Sequence, residues 1–408
     1  MATVLEVDNR KCSQARLAGL CRSFFPLAAL GLAVLPAGAW EVATNLTVQA
    51  ELSAKEGYDS NVYLQDHEPD RVAVPKAVRP DQDSFVTAVT PRLAFDWRAC
   101  SAFSATVAYA PEIAFYHAEP SEDYVAHRGK ILLDGQIGEV PWEMPHSLTF
   151  IDGSGKGLYY GVSSVPGVLD GVPAIGGIPV RDRRDQFVYR GGLKATWSVG
   201  NVFIRPVLAA YVHDFQTAQK LNGKLLPNGQ PNPDWGYENY VDRAELDFGL
   251  DVGWSLNPQT KVFAGYRFGN ETEGDMVGSR YHYDAQFHRP LAGIEGKPLK
   301  WLTANFSIGP DIHSTTSRHD PAFDPNYTAL WVDGVITLTP TAKDSIVLTW
   351  KQNTQPAFSS PSIYEDTVYE GTVRHRFDDR WSVAAGFRGY LGDWHDPVVR
   401  RDWIFTPS

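Results

Sequence analysis

The chain has 408 residues and a net charge of −11, with 43% hydrophobic and 21% charged residues. The acidic excess excludes a basic face for nucleic acid, so no nucleic-acid partner is predicted. Length and a mean hydropathy of −0.27 would ordinarily suggest two or three soluble domains, but the pattern along the chain points elsewhere.

The N-terminus has the layout of a secretory signal. Four basic residues precede an apolar run at 24–35, and small residues follow at 37–39. This predicts that 1–39 is a cleaved signal peptide, because the run is too short for a membrane helix. Cleavage would remove four basic and two acidic residues, leaving a charge of −13. It would also leave Cys100 as the one cysteine, which cannot form an internal disulfide.

The predicted mature chain, 40–408, alternates between apolar and polar residues in short runs. In 240–254 the even positions are mostly apolar or aromatic, whereas Arg243, Glu245 and Asp247 occupy odd positions. A period of two predicts β-strands with one apolar face. No run approaches the ~18 apolar residues of a membrane helix. About sixteen strands are predicted, near 44–64, 84–98, 101–116, 124–138, 146–155, 186–198, 201–216, 237–255, 260–273, 279–295, 300–312, 327–339, 343–355, 363–377, 381–392 and 398–407.

The pattern is weakest in the fourth, tenth and last of these segments. In the tenth, 279–295, Arg289 falls on the face that Tyr283 and Phe287 mark as apolar. His282, Asp284 and His288 share the opposite face, where lining of an interior is the preferred interpretation over a metal site.

The connections between the predicted strands alternate in length. Turns such as 199–200 and 257–258 are short, whereas 65–83, 156–185 and 217–236 are long. Segregation of this kind is typical of a transmembrane β-barrel with short periplasmic turns and long extracellular loops. A soluble secreted β-sandwich is the alternative, but its turns should not sort by length. The fold predicted is therefore all-β, a single antiparallel up-and-down transmembrane barrel of about sixteen strands.

Aromatic residues give a second indication of a barrel. Several lie on the apolar face within a few residues of the short turns, where an interfacial girdle belongs. They are Trp97, Trp197, Trp254, Trp301, Phe377 and Trp381.

The polar face of each strand predicts the wall of a pore. Basic and acidic groups both occur there, as in an aqueous channel. The predicted pore-lining residues are Arg92, Asp96, Glu112, Arg190, Lys194, Arg205, Arg243, Glu245, Asp247, Asp251, Lys261, Arg267, Asp366, Glu370, Arg374, Arg376 and Arg388, together with His213. The alternative is an interior closed by salt bridges that conducts nothing.

The loop 156–185 follows the fifth predicted strand, where the loop of sixteen-stranded diffusion porins folds inward. It ends in a charged cluster, so Arg181, Asp182, Arg183 and Asp185 are predicted at a constriction. An extracellular flap is an equally good interpretation of the same segment.

Residues 57–65, GYDSNVYLQ, continue the parity of the first strand and are predicted as its outer end. The motif Tyr58-Asp59-Ser60-Asn61-Val62 resembles the signature that closes the first strand in a family of Gram-negative outer-membrane β-barrel porins. That family is associated with exopolysaccharide and exosortase systems, and the resemblance implies location more than chemistry. Tyr58 and Val62 are expected to face lipid. Asp59 and Asn61 are expected to hydrogen-bond neighbouring strands at barrel closure, with cation binding as the lesser alternative.

One feature departs from that family. Such barrels usually end on an aromatic residue, whereas this chain ends Thr406-Pro407-Ser408, so the last strand is expected to be short or truncated.

The function predicted is a porin-like channel for small hydrophilic solutes or exported polysaccharide. A non-conducting barrel that contacts extracellular polymer is the alternative. An enzyme is a minor third reading, because no catalytic motif occurs, and no catalytic or metal-binding residue or cofactor is predicted. Expected partners are outer-membrane lipid and the barrel-assembly machinery, and the oligomeric state stays open. An energised transporter is not expected, because it would need an extra N-terminal plug domain and only a few residues separate Ala39 from the first strand.

Overall fold

The chain forms one antiparallel β-sheet, seen here in a computed structural model. The structure describes residues 4–5, 35–43, 45–60, 62, 83–100, 102–152, 185–216, 218–221, 225–232, 239–279, 282–317, 319, 321, 323–357, 363–378, 381–395 and 400–408. The strands are β1 Val4–Leu5, β2 Leu35–Ala43, β3 Leu46–Asp59, β4 Ser84–Cys100, β5 Phe103–Tyr109, β6 Glu112–Tyr116, β7 Tyr124–Ile137, β8 Val140–Asp152, β9 Gln186–Ala195, β10 Trp197–Val199, β11 Val202–Phe215, β12 Arg243–Asn257, β13 Thr260–Glu273, β14 Ala285–Leu299, β15 Leu302–Thr315, β16 Tyr327–Leu338, β17 Asp344–Pro356, β18 Ile363–Arg376, β19 Ser382–Trp394 and β20 Arg400–Pro407.

From β2 to β20 the strands follow one another as an up-and-down meander. Consecutive strands pair antiparallel, with β5 and β6 sharing one place between β4 and β7. β9 and β10 likewise lie end to end along β11. Each predicted strand coincides with an observed strand or one of these broken pairs. The prediction of an all-β, up-and-down antiparallel sheet is confirmed, although β8 begins at Val140, earlier than predicted. β2 was not predicted, because its first residues, from Leu35, fall in the segment read as a signal peptide.

Short and long connections lie at opposite edges of the sheet, as predicted. At one edge, named the turn edge, tight turns join β7 to β8 and β12 to β13. Gly138 in the β7–β8 turn and Gly200 in the turn between β10 and β11 have φ of 61°, a conformation that favours glycine. The opposite edge, named the loop edge, carries the long connections, including those after β3, β8 and β11.

The two faces of the sheet have opposite chemistry and reversed burial. On one face, named the apolar face, large hydrophobic side chains are exposed, including all six aromatic residues predicted near the short turns. On the other, named the charged face, arginine and carboxylate side chains such as Arg243, Asp251 and Asp311 are buried. Period-two alternation separates the two sets, since successive side chains point to opposite faces.

Contacts on the charged face join strands that are not neighbours. Arg205 Nη1 on β11 lies 2.6 Å from Glu295 Oε2 on β14. Arg243 on β12 donates Nη2 to the main-chain oxygen of Pro356, at the end of β17. In a flat sheet, strands five places apart would lie roughly 24 Å from each other, which no arginine side chain spans. The sheet therefore curls with its charged face inward.

The two ends of the meander leave complementary edges. β2 pairs with β3 only over residues 46–52, toward the turn edge. β20 pairs with β19 over 387–394, toward the loop edge, and β1 meets β19 at 383–384. Among the described residues, the side of β3 that faces away from β4, beyond Leu52, and the outer side of β20 thus lie at the same height and run antiparallel.

Two details of the sequence analysis are wrong. β3 ends at Asp59, and Val62 lies in a turn with 1% of its surface exposed, so it does not face outward. On β14 the face of Tyr283 and Phe287 is the buried, charged one, so Arg289 belongs there, whereas His288 is on the apolar face beside Tyr266. His288 is therefore not a lining residue of the interior.

Among the described residues, no helix is long and apolar enough to cross a membrane. Within the described residues, helical structure is confined to a 3-10 turn at Pro120–Glu122.

Candidate functional site: the charged inner face

The predicted pore-lining residues lie on the charged face. Strand register places them there because alternate residues of each strand share one face. Their environments differ: Glu112, Arg205, Arg243, Asp247, Asp251 and Asp366 are buried, Arg376 is exposed at the turn edge, and the others are half-buried. His213 is also buried on this face, with its Nε2 2.8 Å from Gln186 Oε1.

A first group of ion pairs lies near the loop edge. Arg243 Nε is 3.0 Å from Glu271 Oε1, and its Nη2 is 2.7 Å from Glu273 Oε1. In the same layer, Arg289 Nη2 donates to Asp311 Oδ2 at 2.8 Å. These groups are almost fully enclosed, and a buried charge is tolerated only when it is paired in this way.

Aromatic rings fill the space between these charges. His313, whose Nε2 is 3.2 Å from Asp311 Oδ2, stacks on Tyr327 with ring centroids 4.3 Å apart. On its other side it stacks on Phe287, at 5.3 Å. The Arg289 guanidinium lies over the Phe287 ring at 4.7 Å. Charges and rings together form a layer, named the loop-edge layer, of Arg243, Glu271, Glu273, Phe287, Arg289, Asp311, His313 and Tyr327.

A second group of ion pairs lies nearer the turn edge. Asp251 accepts from Arg205 Nε at 2.9 Å and from Arg267 Nη1 at 2.6 Å. Arg205 also pairs with Glu295, and Lys261 Nζ lies 3.8 Å from the same carboxylate. One chain of alternating charges therefore crosses β11, β12, β13 and β14.

A third group occupies the early strands. Arg128 donates Nη1 and Nη2 to the two oxygens of Glu112, each at 3.2 Å, and Tyr124 adds a hydroxyl donor at 2.8 Å. Lys55 of β3 lies on the same face, because it pairs with Ala88 at the parity of Arg92.

Exposure varies along the charged face. In the loop-edge layer, the side chains of Arg243 and Asp311 are 1% and 0% exposed. Toward the turn edge, Lys194 and Glu143 form a 2.6 Å ion pair with 41% and 42% exposed. At a similar height Arg205 and Asp251 are 6% and 1% exposed, so water reaches parts of the turn-edge half, whereas side chains fill the loop-edge layer.

Acidic and basic side chains are close to balanced on the described charged face. Most of the close contacts are between opposite charges on adjacent strands, such as Arg92 Nη1 with Glu51 Oε2 at 3.3 Å. The net negative charge of the chain is therefore not concentrated in the interior. Long-range attraction for one ion sign is expected to be weak there.

Sequence reasoning missed several members of these groups. Glu271 and Glu273 share the parity of Lys261 and Arg267 on β13, so alternation alone could have found them. Arg128 lies on β7, where the pattern is weak and no lining residue was predicted. Arg289, Asp311 and His313 were harder to find, because apolar residues occur on both faces of β14 and β15.

The predicted constriction residues and closure motif are only partly described. Arg181, Asp182, Arg183 and Asn61 lie outside the described residues. Asp185 precedes β9, and its main-chain oxygen accepts from Gln216 N at 2.8 Å. Asp59 pairs with Ser84 of β4 at the loop edge. In the described part of the chain, no group of three or more His, Cys, Asp or Glu side chains could hold a metal ion.

The sequence matches no protein-family profile and no curated protein. Among solved structures, the siderophore receptor PiuA from Acinetobacter baumannii aligns with a TM-score of 0.39 and 9% identity. The alignment covers 88% of this chain and 61% of the receptor chain, so this chain spans about three fifths of that structure's length. At this identity, function has to be inferred from the geometry of the chain itself.

Proposed function

We propose that the protein is an outer-membrane β-barrel that conducts small hydrophilic solutes through its charged interior. The observation that carries the proposal is the reversed polarity of the sheet: aromatic and aliphatic side chains are exposed while paired charges are buried. In water this arrangement would be costly, whereas in a bilayer it places apolar groups against lipid.

The height of the apolar face fits a membrane. On β4, exposed Phe85 and Trp97 lie twelve residues apart, near the loop edge and the turn edge. With ~3.3 Å per residue and a tilt of ~45°, they are about 28 Å apart along the membrane normal, close to the ~25 Å apolar band of such barrels. The exposed tryptophans would then form the girdle at the periplasmic interface.

The complementary edges of β3 and β20 support closure of the sheet into a barrel. We infer that β20 pairs with the loop-edge half of β3, while β2 fills the turn-edge half of the same gap. A closed barrel removes unpaired backbone groups, which lipid cannot satisfy. If the signal peptide is cleaved after Ala39, Trp40–Ala43 of β2 would remain to contribute.

Small solutes are a better proposed cargo than a polysaccharide. A sliding glycan needs a row of accessible ring faces, but Tyr364 and Tyr390 are buried on the charged face. The Tyr211 ring is covered by the Arg190 guanidinium, whose Cζ lies 4.6 Å from the ring centroid. Half-exposed ion pairs such as Lys194 with Glu143, in contrast, suit small polar molecules. The first-strand motif, which resembles exopolysaccharide-associated porins, agrees with the proposed location and leaves the cargo open.

The non-conducting barrel is kept as a second candidate because of the loop-edge layer. Side chains with almost no exposed surface fill the interior at that height. If the layer is complete across the barrel, no solute would pass.

Liposome swelling with sugars of increasing size tests the proposal. The protein is purified from outer-membrane fractions, and heat-modifiable migration on a detergent gel establishes that it is folded. Conduction predicts swelling with the smallest sugars and none above a size limit. A folded protein that passes no sugar would contradict the channel and leave the non-conducting barrel.

A further inference from the structure

Arg243 makes contacts that no local strand pairing requires. It is the first residue of β12, and its side chain is 1% exposed. The guanidinium pairs with two carboxylates of the adjacent β13, Glu271 and Glu273, and also reaches the main-chain oxygen of Pro356 on β17. One side chain therefore connects parts of the sheet five strands apart.

The contact at Pro356 suits such a connection. β17 ends at this residue, so its oxygen lies where the strand gives way to the loop edge. A guanidinium presents five donors in a planar fork, which lets one group serve two carboxylates and a carbonyl at once. A lysine ammonium at the same position has a shorter reach and a different geometry.

We propose that Arg243 is a latch that sets the size limit of the conduit at its loop-edge end. The latch holds β12, β13 and the end of β17 together around the loop-edge layer, so its contacts determine how narrow the interior is there. This inference rests on the proposed conducting function. Without the guanidinium, Glu271 and Glu273 would be left as unpaired carboxylates in one enclosed place, and water would enter to solvate them.

Arg205 provides a matched control. It is also a buried arginine on the charged face and also pairs with two carboxylates, Asp251 and Glu295. Its described ion pairs extend only as far as β14, and it lies nearer the turn edge. Replacing it removes the same kind of ion pair without releasing β17.

The test compares wild type, Arg243→Ala, Arg243→Lys and Arg205→Ala by single-channel conductance and liposome swelling, with heat-modifiable migration as the check on folding. Arg243→Ala is expected to raise conductance about twofold or more and to admit larger sugars. Arg243→Lys keeps the charge, so it should fold even if the alanine variant does not, and it should raise conductance less. Arg205→Ala also changes the charged face, but it should raise the size limit clearly less than Arg243→Ala, because it does not release β17.

The outcomes separate the latch from the conducting function. A conducting wild type with an unchanged limit in folded Arg243 variants would overturn the latch alone. An equal rise in Arg205→Ala would also overturn it, because any lost ion pair would then suffice. If the wild type does not conduct but an Arg243 variant does, the result would support the latch and overturn conduction by the native chain. No conduction by any folded variant would overturn both.

Discussion

Breaking the Glu112–Arg128 pair should destabilise the barrel strongly. Both side chains are 2% exposed, and two 3.2 Å hydrogen bonds join them. Replacing Arg128 with Met keeps most of the volume but leaves the carboxylate buried without its counter-ion. Loss of one partner of a buried pair costs about 3–5 kcal/mol, more than the pair itself contributes. Arg128→Met should therefore lower the free energy of unfolding by about that amount.

The assay is urea unfolding of the refolded protein in detergent or lipid vesicles, followed by tryptophan fluorescence. The control is Lys194→Met, which breaks the half-exposed pair with Glu143 and should cost only about 0–1 kcal/mol. A double variant, Glu112→Gln with Arg128→Met, removes both charges and should recover much of the loss. The reasoning is refuted if Arg128→Met costs no more than the control, since that would place the pair in contact with water.

Three further predictions concern the faces, the packing and the closure of the sheet. Phe248→Arg, on the exposed apolar face of β12, should lower the free energy of unfolding in a bilayer by about 2–4 kcal/mol. Asn305→Arg, on the charged face, should lower it far less. Similar losses for the two variants in unfolding titrations would argue against lipid contact at Phe248. Gly253→Ala should destabilise by about 1–3 kcal/mol, because a Cβ there would lie 2.4 Å from a neighbouring main-chain oxygen; an unchanged urea midpoint would contradict this packing. In a cysteine-free background, Lys55→Cys should form a disulfide with a cysteine at one or more of the positions 403–406, each tested in turn. The disulfide would alter migration of the protein on a gel. No cross-link in any pair would count against closure between β3 and β20.

The interior chemistry depends on contacts that local pattern does not reveal. Arg243 and Glu271 could each be assigned to the polar face from alternation, because period two is a local property of the chain. That Arg243 also reaches Pro356 depends on how far the sheet curls, which is set jointly by all the strands between them. The difference in exposure between the Lys194–Glu143 pair and the loop-edge layer has the same origin.

The errors of the sequence analysis arise where local pattern is ambiguous. Tyr58 and Val62 are both at even positions, like the apolar residues of β3, so both were expected on its outer face. β3 ends at Asp59, however, and alternation no longer assigns a face once the backbone leaves the strand. On β14, apolar residues occur on both faces, so Phe287 was placed outward although it packs between His313 and Arg289. Only the register with β13 and β15 decides which face is enclosed.

The sequence by itself determined the strands from β3 onward, their up-and-down order, the segregation of short and long connections and the face of most side chains. These follow from side-chain alternation and turn chemistry, which act over a few residues. Tertiary structure alone decided that β2 joins the sheet, which charges meet, as in Arg205 with Glu295 and Arg128 with Glu112, and which of them are enclosed. Those contacts join residues far apart in the chain, so they exist only once register and curvature bring the strands together.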